Sequence, residues 1–588
     1  KDPENNHSQV WRAEKMAYLL RLDVLVDRLA QKKSGKAEKV YRILLPKFKE
    51  TIQLLREYNL LPLALLGRLL VNELPLRVIQ EFPEDLRYQA ATLMGEIALT
   101  AYQSQESVDY WQEAEAIAKQ QNNLEKQIKS ILGQYAGLTS TDLKRAVAVL
   151  EHALEIAPSA PQFEVEILYK LGYAHRRLEN ISKAIEYYER AKDKAMEKQD
   201  TGWLPTILND LGYAYAFQGT FDPDYSNTSL ELRTAKLALD EKLAAELANQ
   251  KPVPTQLAEA QKQVRQSKFF VGLTHNTLGQ IYRFSGALTR AVAEYSQALS
   301  IFQEIHNRRW EAEALYSRSE AHRRLAAEYY ELGRKAPGDE HDSKAYRDID
   351  ACVEICERYN FADIIPTAYR REGRLYHDRF IRPDFVGILP GDRVFYMEQA
   401  HGLFEKAYKA AEKGQKVLEQ FTNLTEIAFL GDDTIEYWQE HNQDLVQPAM
   451  EKAKINLKRL HQLLDEHGKS DIKIQQYPVF EHLAEMEDGA LSLAQEEFEK
   501  AFQKLRAAFV GLARTPGYGQ ARYKQHLPYI FKVLRKLDPD QQDKLCHVLI
   551  DAWKQPVPNG KPLSETHLDM LRRISLFQST RYIYRSAE

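Results

Sequence analysis

A short pattern recurs along this 588-residue chain, and its spacing constrains the fold more than any other feature. "LGYAHRRLENISKAIEYYERA" occupies 171–191, "LGYAYAFQG" 211–219, "LGQIYRFSG" 278–286 and "AHRRLA" 321–326. In the first stretch Leu168, Leu171, Gly172 and His175 mark one helix, and Ala184, Tyr188 and Ala191 mark a second after a loop. Small residues at Gly172 and Ala184 let the two helices approach closely, while Tyr188 and Ala191 fill the junction with the next pair. One hydrophobic core stops growing at roughly 250–300 residues, so a chain of this length is several domains or an array of such pairs. Its 26 glycines and 23 prolines are few for the length and favour long helices over turn-rich sheet.

The frame returns along the chain. Leu208, Leu211, Gly212 and Tyr215 form a first half, and Leu278, Gly279, Tyr282, Gly286, Ala291, Tyr295 and Ala298 form a complete copy. Upstream, Met94, Gly95, Trp111 and Ala114 mark one repeat, and Leu132, Gly133, Ala146, Leu150 and Ala153 another, which Pro158 closes. A period near 34 residues that runs Leu-Gly, Tyr, then Ala, aromatic, Ala resembles the tetratricopeptide repeat. The resemblance implies an all-α fold, a tetratricopeptide-type helical-hairpin superhelix (α-solenoid) with atypical helical ends.

Downstream the halves drift apart. Leu315, Ser319 and His322 are separated from Ala345, Ile349 and Cys352 by "AEYYELGRKAPGDEHDS", and Tyr369, Gly373 and Tyr376 from Ala400, Phe404 and Ala407 by "RFIRPDFVGILPGDRVF". Gly-Asp and Pro-Gly turn signals predict surface loops there, over about 327–343 and 379–397, joining the two helices of one hairpin. The charged, Ala-rich stretch 236–267, broken by Pro252 and Pro254, reads as an extended helical excursion with a turn. A half-copy near Ile427, Leu430 and Gly431 and a divergent pair ending in Phe498 and Ala501 extend the array. The expected organisation is an N-terminal helical cap or linker over 1–87, a degenerate repeat array with insertions over 88–515, and a C-terminal helical cap over 516–588.

Composition and motifs narrow the function. A net charge of −4 excludes a whole-molecule attraction to nucleic acid or membrane, leaving only local patches. The longest apolar run, "LLPLALLGRLLV" at 60–71, contains Arg68 and falls short of the ~20 residues that span a bilayer. Three cysteines, Cys352, Cys356 and Cys546, form no disulfide framework, and a cytoplasmic location is expected. The start at Lys1, with neither an initiator Met nor a signal peptide, reads as a fragment of something longer. "HGKS" at 467–470 is not a phosphate loop, because Leu463 stands where that loop needs glycine. No HExxH or GxSxG motif occurs. Cys352 and Cys356 are expected to be small buried hydrophobes, and His175 and His322 packing residues at the repeat's tyrosine position. The chain is therefore read as a non-enzyme with no cofactor and no metal.

What remains is a surface. In the tetratricopeptide family the first helix of each pair lines a concave groove, and the residues flanking the Leu-Gly and Tyr marks point into it. Those positions here are Tyr169, Tyr173, Arg176 and Arg177; Asn209, Tyr213 and Phe217; Asn276, Gln280, Arg283 and Phe284; Tyr316, Glu320, Arg323 and Arg324; and Arg370 and Arg374. Arginine forks onto carboxylates or phosphates, and tyrosine brings contact area at low entropy cost. A protein or peptide ligand of acidic character is expected. The family's carboxylate-clamp set of Lys, Asn, Asn, Lys and Arg is incomplete, which argues against a chaperone C-terminal peptide. The size, the inserted repeats and the fragment-like start are similar to the sensor arms of bacterial STAND ATPases, the NLR-like signalling and antiphage family. That likeness implies an upstream nucleotide-binding module in the parent chain. The alternatives are a free-standing scaffold and, third, a nucleic-acid or nucleotide ligand in the Arg/Tyr groove.

Overall fold

The computed structural model describes residues 79–554, except 81, 83, 101–102, 140, 179, 201, 219–221, 250–253, 360, 362–363, 383–391, 414–415, 469–476 and 515–536. Among the described residues the regular structure is helical throughout, and none of the helices is long and apolar enough to cross a membrane. The chain divides into two compact units, Lys1–Ile207 and Leu208–Glu588. Most of the caps expected over 1–87 and 516–588 lies outside the described residues.

The first unit holds α1 (Glu84–Thr100), α2 (Ser104–Gln120), α3 (Leu124–Leu138), α4 (Leu143–Ile156), α5 (Glu164–Arg177), α6 (Ile181–Glu197) and the start of α7 (Leu204–Gln218). They pack as consecutive hairpins, α1 on α2, α3 on α4 and α5 on α6. Local chemistry sets the ends. Asn123 and Asp142 cap α3 and α4, their side chains accepting from the Lys126 and Arg145 amides at 2.9 and 3.0 Å. Asn122, in the left-handed region at φ 50°, turns the chain tightly between α2 and α3. Pro158 sits in the 3-10 turn Ala157–Ser159 that ends α4, as the sequence predicts.

The glycines explain the repeat. A Cβ on Gly172 would lie 2.6 Å from the Tyr188 ring, and one on Gly95 would lie 2.7 Å from the Trp111 indole. Trp111 also covers Gly133 of the next hairpin, where a Cβ would come within 2.1 Å. The bare backbone of one helix is thus the floor on which an aromatic ring of its partner lies. In the second unit Gly279 faces Tyr295 and Gly373 faces Phe404 in the same way.

The second unit continues with α8 (Asp224–Asn249), α9 (Pro254–Ser285), α10 (Leu288–Glu304), α11 (Arg308–Glu331), α12 (Lys335–Tyr359), α13 (Ile365–Ile381), α14 (Asp392–Lys413), α15 (Val417–His441), α16 (Val446–Gly468), α17 (Tyr477–Ala494), α18 (Phe498–Arg514) and α19 (Pro539–Lys554). The excursion at 236–267 is helical, as expected: the 26-residue α8 and 32-residue α9 pack together, with Ser267 donating to Asp240 at 2.5 Å and Arg233 to the Phe270 carbonyl at 2.9 Å. Pro254 opens α9, where its missing N–H costs nothing.

The predicted loop over 327–343 is not a loop. α11 runs to Glu331 and α12 starts at Lys335, so the insertion lengthens both helices and leaves a three-residue turn in which Gly333 takes φ 68°. Its turn signals lose because the added turns have something to bury. The Tyr330 ring is only 4% exposed, lies against Gly338 and donates to Asp339 at 2.8 Å, while Pro337 falls in the first turn of α12, where helices tolerate it. In the second insertion Arg379–Ile381 end α13 and 392–397 begin α14, and 383–391 lies outside the described residues. Of the divergent last pair, Phe498 is half-exposed and Ala501 buried, while Leu505 lies against Gly489.

Candidate functional site: an arginine cluster around a buried glutamate

Of the expected groove residues, Tyr169, Tyr173, Arg176 and Arg177 belong to the first unit. Tyr169 packs against Tyr188 and Trp203 at centroid distances of 5.7 and 5.2 Å, Arg176 lies over the Tyr173 ring at 4.8 Å, and Arg177 is exposed. In the second unit Asn209 and Asn276 are buried, each with a side-chain oxygen that has no hydrogen-bond partner, and Tyr213 and Gln280 are half-buried. The Phe217 side chain lies outside the described residues.

The remaining arginines converge. Glu320 on α11 is 1% exposed and takes Arg323 Nε at 3.0 Å and Arg324 Nε at 2.9 Å from its own helix. From α13, Arg371 Nη1 reaches it at 2.6 Å and Arg374 Nη1 stands at 3.9 Å. Four guanidiniums therefore share one carboxylate. Outside it, Arg323 Nη1 also donates to Asp378 at 2.6 Å, Arg374 Nε to Glu426 at 2.9 Å, and Arg370 Nη1 pairs with Glu419. Arg283 on α9 donates to the Tyr295 hydroxyl at 3.3 Å and lies over the Phe284 ring at 4.7 Å. At the margin, the Tyr316 hydroxyl donates to Glu313.

Burial alone would raise the Glu320 carboxyl, but Arg323, Arg371, Arg324 and Arg374 together hold it well below the usual carboxylate range. The arginines divide. Burial opposes all of them, yet Arg323 stays raised because Asp378 and Glu320 both face it, and Arg374 because Glu426 does. Among the described residues Arg371 and Arg324 have no carboxylate besides Glu320. Burial, with the repulsion of Arg374, Arg283 and Arg370 added for Arg371 and that of Arg283 and Arg323 for Arg324, brings them down to about 9 and about 10 in spite of Glu320.

Of the expected groove arginines, Arg283, Arg323, Arg324, Arg370 and Arg374 thus fall in one cluster, with one correction to their expected charge. Arg323, Arg370 and Arg374 are not free positive charges, because each is committed to a carboxylate within the protein. Arg371, Asp378, Glu419 and Glu426 were not read from the sequence. A signal for the first existed in the doublets Arg176-Arg177, Arg323-Arg324 and Arg370-Arg371. For Glu419 and Glu426 it lay in α15, where Glu419, Asn423 and Glu426 recur at helical spacing. Asn423 is fully buried with neither its oxygen nor its nitrogen partnered.

The other singled-out residues are structural. Cys352 and Cys356 are buried, with sulfurs 4.0 Å apart, among the side chains joining α10, α11 and α12. His175 is buried and stacked on Tyr187 at 5.3 Å, and His322 is buried against His341 with their Nδ1 atoms 2.9 Å apart.

Comparison with known proteins agrees with this architecture. Residues 165–193 match the tetratricopeptide repeat. No curated protein matches the chain. Among solved structures the chain is similar to a Rap protein complexed with Competence and Sporulation Factor (13% identity, 79% of this chain and 100% of that one, TM-score 0.37). It is also similar to the apo quorum sensor NprR from B. thuringiensis (15%, 73% and 97%, 0.33) and to the human IFIT1 dimer with PPP-AAAA (12%, 83% and 94%, 0.34). Likenesses this distant concern helical arrangement alone. The chain is an all-α array of helical hairpins that contains a tetratricopeptide repeat.

Proposed function

We propose that this chain is a non-catalytic protein- or peptide-recognition module whose second unit engages an acidic ligand at the cluster around Glu320. The observation that carries the reading is the sharing of one buried carboxylate by four guanidiniums, two of which, Arg324 and Arg371, have no other acid among the described residues. An ion-pair network that served stability alone would match its charges, since an uncompensated buried charge is costly. Tyr213, Tyr316 and Phe284 border the arginines and supply apolar contact of the kind found at recognition hot spots.

By its resemblance to that family, the module would serve as the cytoplasmic sensing arm of a larger STAND-type ATPase. The support for this finer reading is the repeat architecture together with the helical insertions, which enlarge the array without adding catalytic motifs.

The test is affinity capture from cells of the source, followed by titration of each captured protein against the wild-type chain and an Arg324→Gln/Arg371→Gln variant, at low and high salt. A true ligand of the cluster weakens by roughly 2–5 kcal/mol in the variant. Equal affinity for both proteins, with the helical circular dichroism signal intact, would place recognition elsewhere on the chain.

A further inference from the structure

Six arginines, Arg283, Arg323, Arg324, Arg370, Arg371 and Arg374, face four carboxylates, Glu320, Asp378, Glu419 and Glu426. Including Glu313 at the margin still leaves positive charge in excess. The excess is also visible as unused donors. Arg324 Nη2, Arg370 Nε and Arg371 Nε are buried without any hydrogen-bond partner, and Arg371 Nη1 approaches Glu320 without being aligned on it. An unpaired buried N–H on a charged group is a larger penalty than a lost neutral hydrogen bond. The side chains themselves still touch solvent, from 8% of the surface of Arg370 through 14% for Arg371 to 22% for Arg324, so an ion can reach them.

We infer that this cluster is the seat of a phosphoryl dianion, so that the ligand of the second unit carries a phosphate group. Two features select phosphate over carboxylate. The unused donors come from three arginines on two helices, which suits the diverging oxygens of a tetrahedral group better than the single plane of a carboxylate. A phosphoryl group also carries close to two negative charges, which covers the excess whether or not Glu313 is included, where one carboxylate covers it only if Glu313 is. Glu320 then acts as the internal strut that keeps four guanidiniums together while the site is empty, and the phosphate completes the neutralisation. The inference rests on the reading of this cluster as the ligand site. It identifies a chemistry that a phosphorylated side chain and a mononucleotide share.

The test uses the full chain and its thermal unfolding, because an anion that binds only the folded state raises the melting temperature with concentration. Inorganic phosphate, O-phosphoserine, AMP and malonate are added at matched ionic strength, with chloride as the reference, to the wild type and to Arg371→Met. Phosphate is expected to raise the wild-type melting temperature by several degrees over chloride, and malonate clearly less. Without phosphate, Arg371→Met should melt no lower than the wild type, since the substitution removes repulsion, and its response to phosphate should vanish. O-phosphoserine protecting better than AMP would assign the phosphate to a phosphopeptide, and the reverse to a nucleotide.

Malonate acting as well as phosphate would overturn the phosphoryl assignment while leaving an acidic ligand in place. No anion effect, together with a lowered melting temperature for Arg371→Met, would overturn it too and make Arg371 a structural ion-pair partner. In that case the affinity of captured proteins for the Arg324→Gln/Arg371→Gln variant decides the broader reading separately. Should Arg371→Met fail to fold, Arg324→Gln provides the same comparison.

Discussion

Arg371 Nη1 stands 2.6 Å from Glu320 Oε2, yet that carboxylate already accepts hydrogen bonds from Arg323 and Arg324, and Arg371 is left unaligned on it. Glu320 is therefore the common counter-charge of two helices, α11 and α13, and not half of a simple pair. Removing it is a different act from removing any one of its arginines.

Glu320→Gln leaves four guanidiniums facing one another in a buried site. Breaking a buried ion pair by deleting one partner typically costs about 3–5 kcal/mol, and the upper end is expected here because the charge is shared. Equilibrium urea unfolding of the variant measures it. A loss below about 1 kcal/mol would mean that water, not Glu320, neutralises the arginines.

Glycines at the hairpin contacts should respond oppositely to the same substitution. At Gly172 a methyl would sit 2.6 Å from the Tyr188 ring, so Gly172→Ala should destabilise by about 1–3 kcal/mol through overpacking. Gly402 lies in the middle of α14 with nothing within 4 Å of the added atom, so Gly402→Ala should stabilise by roughly 0.5–1 kcal/mol. Thermal melts of the two variants check the pair, and the prediction fails if both shift in the same direction.

The helical insertion has a buried anchor to test. Tyr330 is buried against Gly338, and Tyr330→Ala should cost about 3–5 kcal/mol. Its neighbour Leu332 is 69% exposed at the turn, so Leu332→Ala should stay within about 0.5 kcal/mol of the wild type. A mobile surface loop would leave both substitutions silent in chemical denaturation.

His322 supplies the pH dependence. Burial first, then the neighbouring His341, Arg318 and Lys344, lower its pKa from 6.5 to about 3. Between those values the unfolded chain binds a proton that the folded chain does not, so stability is intact above pH 6.5 and falls as the solution is acidified towards pH 3. The slope from this residue is about 1.4 kcal/mol per pH unit. His322→Phe should flatten the stability profile over that window by about that much; an unchanged slope would show that His322 is protonated in the folded protein.

The repeat was legible because its signals are local. Gly172 and Tyr188, Gly279 and Tyr295, and Gly95 and Trp111 are each sixteen residues apart, so helix, turn and helix bring glycine under ring whatever the rest of the chain does. The excursion at 236–267 was legible because its Ala-rich, glycine-free composition favours helix and Pro252 and Pro254 interrupt the run. The stretch 327–343 was misread because its Gly-Asp and Pro-Gly signals are also local, and the burial that overrules them, Tyr330 on Gly338, is visible only once both helices are extended.

The sequence by itself determined the repeat hairpins and the recurrence of arginine at one phase of successive first helices. The tertiary structure alone decided what those arginines do. Arg323 finds Asp378 and Arg374 finds Glu426 across more than fifty residues, and the doublet Arg370-Arg371 splits, one member turning to Glu419 and the other to Glu320. Apolar periodicity encodes which helices touch, because burial is non-directional and tolerates small rotations. Which charges meet depends on the rotation and axial register of α11, α13 and α15 to within a hydrogen-bond length, and no pattern along the chain carries that information.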